Sequence, residues 1–120
     1  MTGRLESDLL ELQRNDVAMM TTSLIQKNLP GLLEDMRTDS EVRETYRERM
    51  VLPRRQKVPD VLDRACERGE ILRDDFDADY ICDLLFGPLL ARILLPTDLP
   101  VDDRLAHQTV TSVINELRRK

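Results

Sequence analysis

The sequence predicts an all-α bundle of five to six helices, and three observations carry that prediction. Leu, Arg, Asp and Glu are the commonest residues, and the Leu, Arg and Glu among them favour helix over strand. Apolar residues recur at three- and four-residue steps along successive segments, the period of an amphipathic helix. Between those segments stand the Pro, Gly, Asp, Ser and Thr residues that start and stop helices. At 120 residues the chain is expected to fold as one domain, residues 1–120, burying roughly two-thirds of the surface its unfolded form exposes.

The first helix is predicted from about Arg4 to Met20, with Leu5, Leu9, Leu12 and Met19 on one face. Thr21, Thr22 and Ser23 interrupt it, and any of them can cap a second helix from about Ser23 to Arg37. Ile25, Leu29, Leu32, Leu33 and Met36 form its stripe. Pro30-Gly31 should kink or break it, because Pro removes a ladder donor and crowds the preceding turn. Asp39 and Ser40 are good caps for a third helix, about Ser40 to Leu52, on which Val42, Tyr46 and Met50 align.

Pro53 suits the first residue of a fourth helix, where Val58, Val61, Leu62, Ala65 and Cys66 line one face. Gly69 is placed to end it in the left-handed conformation. Pro59 predicts a bend near Val58, and spacing alone leaves open whether the third and fourth helices are one rod or two. The acidic connection "EILRDDFDAD" then leads to Asp77, a cap for a helix from about Ala78 to Leu95. That helix begins with Ile81, Leu84 and Leu85 inward and Asp79 and Asp83 outward, then becomes apolar all round. "PTDLPVDD" reads as a turn. Asp102 or Asp103 opens the last helix, which runs to about Arg119 with Ala106, Val110, Val113, Ile114 and Leu117 on its apolar face.

A helix that is apolar on every side must be covered on every side, and few helices precede the last two. Left in water they would form a larger apolar patch than monomers usually carry. Pairing with a second copy solves this, since two-fold dimers are the commonest assembly; the alternative is that the first four helices wrap the last two completely. The expected partner is therefore a homodimer mate. The expected interface is Leu89, Ile93, Ala106, Val110, Val113, Ile114 and Leu117, two helices from each copy making a four-helix interface.

Other functions find little support. The net charge is −5, and acids interleave the basic residues except at Arg54, Arg55 and Lys57, so no basic face for phosphates is expected. Cys66 and Cys82 occupy apolar helical positions and read as reduced core thiols, pointing to the cytoplasm. The start "MTGRLESDLLELQ" is unlike a secretory signal. The apolar run Leu84–Leu95 is twelve residues, too short to span a bilayer, so no membrane association is expected. No nucleophile elbow, phosphate loop or clustered metal-ligand spacing occurs, so no catalytic residue, cofactor or metal is expected. His107, the one histidine, falls on the polar face of the last helix and reads as solvated.

Three segments carry a family resemblance: "LLEDMRTDSEVRETYRERMVLPRR" (Leu32–Arg55), "VLDRACERGEI" (Val61–Ile71) and "DADYICDLLFGPLLARILL" (Asp77–Leu95). In that order and spacing they resemble the C-terminal domain of TetR-type transcriptional regulators. The resemblance covers nearly the whole chain from about Gly3. It implies a helical domain that dimerises through its last two helices and binds a small-molecule effector among the preceding ones. It also implies DNA contact through an N-terminal helix-turn-helix unit. That unit is missing from this sequence, so a regulatory domain without its DNA-binding partner is expected. Candidate effector-binding residues are Met20, Leu24, Met36, Tyr46, Met50 and Phe86, since Met suits an adaptable apolar site. Met at helical spacing is also ordinary core. The alternative function is a stand-alone helical interaction protein that forms mixed dimers with a full-length regulator.

Overall fold

The computed structural model describes residues 4–71 and 76–119. Its helices are α1 (Leu5–Met20), α2 (Ser23–Thr38), α3 (Ser40–Tyr46), α4 (Leu52–Glu67), α5 (Ala78–Leu94) and α6 (Asp103–Leu117). A π-helical turn, Arg47–Val51, joins α3 to α4 without a break. The middle of the acidic connection, residues 72–75, lies outside the described residues, as does Lys120. Among the described residues there is no strand.

The helix starts follow the caps the sequence offers. Thr22 accepts from the Ile25 N–H, Asp39 from Glu41 and Val42, Asp77 from Tyr80 and Asp102 from Leu105. Gly69 stands at φ +78° just past α4, the left-handed ending expected of it. The start of α1 is different, because Arg4 provides no side-chain cap. Glu70 does so from across the fold: its Oε1 accepts the Leu5 N–H at 3.0 Å. Arg68 pairs with Glu70 and also reaches the buried carboxylate of Asp8 at 3.5 Å.

The prolines lie inside uninterrupted helices. Pro30 does not break α2, and Pro59 lies within a continuous α4. The irregularity falls earlier, at the π turn. Pro59 leaves the Arg55 carbonyl without its helical donor. The Cys82 thiol stands in, donating to that carbonyl from 3.7 Å. Burial pushes the same thiol's pKa up, keeping it protonated for the purpose.

Helix α1 lies against α4, α5 and α6. The first core cluster gathers Leu5 and Leu9 of α1 with Val61, Leu62 and Ala65 of α4, Ile81 and Leu85 of α5, and the inner face of α6. Buried Gln13 ties three helices together at the edge of this cluster. Its Nε2 donates to the Leu85 carbonyl of α5 at 2.5 Å and to Thr109 Oγ1 of α6 at 2.8 Å. A second cluster at the other end holds Met20, Leu29, Leu89 and Leu105.

Candidate functional site

The second cluster is less finished than the first. Among the described residues, the first has 14 buried members and five partly buried ones. The second has four buried and eight partly buried, including Met19, Ile25, Leu33, Phe86 and Ile93. Large apolar side chains from α1, α2 and α5 thus surround a small dry centre and keep part of their surface in water. Such incomplete burial forgoes roughly 25 cal/mol for each Å² left wet.

One cation is set into this end of the molecule. Arg54, from the first turn of α4, lies over the Phe86 ring with its guanidinium carbon 4.9 Å from the centroid. Its Nη1 points at the Met19 sulfur, 3.7 Å away, and its Nη2 pairs with Asp16 of α1. Arg54 and Asp16 side chains are only 25% and 28% exposed. Burial pushes the Asp16 carboxyl up, against the opposing pull of Arg54 and then of Lys57. The ion pair is therefore a strained compromise between desolvation and attraction.

A separate open groove of about 430 Å³ runs between α2 and the α3–π-turn segment. Leu32, Val42, Tyr46 and Met50 line it, with Asp39, Glu41 and Arg49 among its polar members. That volume lies within the range of small-molecule sites. Leu32 belongs to the groove and Leu33 to the second cluster, so both features share the α2 helix.

The candidate effector residues separate accordingly. Tyr46 and Met50 line the groove. Met20 and Phe86 belong to the second cluster, and Met36 is half-buried on α2. Leu24 is 69% exposed and lines neither, while its neighbour Ile25 takes the inward position of that turn. Arg54 and Asp16 were not among the candidates. Their signal is readable in retrospect: each interrupts an apolar stripe, Asp16 between Leu12 and Met19 and Arg54 between Met50 and Val58.

The residues of the expected dimer face lie mostly inside their own chain. Leu89, Ala106 and Val113 have no exposed surface, and Val110, Ile114 and Leu117 are at most 7% exposed. They are packed inside their own chain, and Ile93 is half-buried in the second cluster. The reason is α1, which takes the apolar face of α6 for itself. The outer face of α6 carries Gln108, Thr111, Ser112 and Asn115, all exposed. By contrast, α5 keeps an apolar outer stripe: Tyr80 48% exposed, half-buried Leu84, exposed Gly87 and Ala91, and Leu94 40% exposed.

Residues 1–113 match the sequence profile of the family described as "Tetracyclin repressor-like, C-terminal domain". The chain belongs to this family. As a tetracyclin repressor-like C-terminal domain it is also similar to the uncharacterized HTH-type transcriptional regulator YdeS of Bacillus subtilis (strain 168). The two are 30% identical over 97 residues, which cover 81% of this chain and 48% of that protein. The chain thus spans about half the length of this relative. In this tetracyclin repressor-like domain, among the described residues, no three His, Cys, Asp or Glu side chains gather as a metal site, and no helix is long and apolar enough to cross a membrane.

Proposed function

We propose that this domain is the effector-sensing and dimerisation part of a TetR-type repressor, acting in the cytoplasm on DNA held by a helix-turn-helix domain. The unfinished second cluster is the observation that carries the sensing half. An apolar effector entering between α1, α2, the α3–α4 rod and α5 gains by covering side chains that the chain alone leaves half wet. Tyr46 and Met50 on the neighbouring groove give the approach its walls. Helices α1 and α4, joined at this end by Asp16 and Arg54, are the elements whose spacing such a ligand alters. A ligand shifts the regulator only by its different affinity for the two spacings.

The dimerisation half rests on the outer stripe of α5, with Tyr80, Leu84, Ala91 and Leu94 facing a two-fold mate. Short polar side chains on α6 form the flank of that contact, where they permit close approach and hydrogen bonding at the rim. Sedimentation equilibrium over a range of concentrations tests this. The expected mass is near twice 13.9 kDa. A chain that stays monomeric at every concentration sinks the pairing.

A further inference from the structure

We infer that the effector of this domain is a monoanionic amphiphile, a carboxylic acid with an apolar body, whose carboxylate competes with Asp16 for Arg54 while its body completes the second cluster. The inference rests on the effector-sensing function proposed above and names the class of ligand for it.

Arginine offers five N–H donors in a planar fork that matches a carboxylate two bonds at a time. In this structure Arg54 uses Nη2 on Asp16 and Nη1 on a thioether, a weak acceptor. Its Nε and the other hydrogens have no acceptor among the described residues. The ring of Phe86 holds the plane of the fork in place from one side. An oriented, half-buried cation with unfilled donors is a ready receptor for an oxyanion.

The local charges select a single negative charge. Two cations, Arg54 and Lys57, act on one carboxylate, Asp16. The nearby Arg55 is already committed to Asp79 and Asp83 of α5. A single carboxylate takes the place of Asp16 on Arg54, whereas a second negative charge on the ligand would lie close to the displaced Asp16 with only Lys57 to offset both. The surroundings specify the rest of the ligand. Met19, Ile25, Leu33, Phe86 and Ile93 are apolar, partly wet and adaptable. Asp16 is the weak point of the resting arrangement, since burial works against its charge. Its replacement by a ligand carboxylate leaves Arg54 paired and lets Asp16 turn to water.

The test is calorimetric titration of the 120-residue chain with three probes of equal tail, decanoate, decanol and decyltrimethylammonium, all below micelle formation. Decanoate is expected to bind about tenfold tighter than decanol or the cation, the gain of one charge-assisted contact. Arg54→Gln should bring decanoate down to the level of decanol, and Asp16→Asn should strengthen decanoate several-fold without changing decanol. If decanol binds as tightly as decanoate and Arg54→Gln changes neither, the carboxylate assignment is overturned while an apolar effector site stands. If none of the three binds to a chain that circular dichroism shows to be helical, both fall. Should Arg54→Gln fail to fold, Asp16→Asn decides alone, and an unchanged decanoate affinity overturns the assignment.

Discussion

Individual polar residues in apolar surroundings set the character of this domain. Gln13 is 1% exposed yet satisfied twice, on α5 and on α6. Removing it takes one bond from each of two buried oxygens and opens a hole, so Gln13→Ala should lower stability by about 2–4 kcal/mol. The midpoint of urea unfolding measures this, and a shift near zero would mean that water replaces the amide. Glu70 gives a pH signature instead. The Leu5 N–H, and then Arg68, hold its carboxyl below the usual range. Because the folded value is lowered, its stabilisation is complete above the unfolded value of about 4.3 and is lost as pH falls through the lowered one. The wild-type chain should therefore lose stability on acidification below about pH 4.3 more steeply than Glu70→Gln does. Parallel curves would show that the capping bond has little weight in solution.

At the scale of elements, the ends of helices were more predictable than their faces. Gly69 needs its positive φ, and a Cβ added there meets nothing within 4 Å. Gly69→Ala should thus cost only the backbone penalty, about 1–2 kcal/mol, with Asn recovering part of it. Thermal unfolding of the two variants checks the order. Asp102 caps α6, the helix that supplies seven buried residues, so Asp102→Ala should cost about 1 kcal/mol and Asp102→Ser very little. The prolines show the limit of local reasoning. Pro59 removes a donor from the Arg55 carbonyl, and a cysteine 23 positions further along the chain supplies a replacement. No window of sequence around Pro59 contains that information.

For the whole molecule, the decisive question is which apolar faces are spent inside the chain and which remain outside. Val113 is fully buried, so Val113→Asp places an unpaired charge in the core and should unfold the monomer outright, a cost of several kcal/mol. Leu94 and Ala91 lie on the outer stripe of α5. Their replacement by Arg should leave helicity and the urea midpoint of the isolated chain nearly intact while halving the mass in solution. A double variant that stays dimeric would move the pairing face away from α5. The contrast separates a core defect from an interface defect, which a mass measurement on Val113→Asp alone cannot do.

The sequence by itself determined the helical class, the order of the elements and most of their caps. These depend on spacing and on contacts within four residues, and Thr22, Asp39, Gly69, Asp77 and Asp102 all act locally. It also announced that α5 had more apolar circumference than one neighbour could cover. Only the tertiary structure decided which of two apolar helices faced outward. The face of α6 was equally suited to a partner chain or to α1, and the choice depends on where α1 lies. The same holds for the candidate site. Asp16 and Arg54 are 38 residues apart, and their meeting over Phe86 is a property of packing that no periodicity encodes.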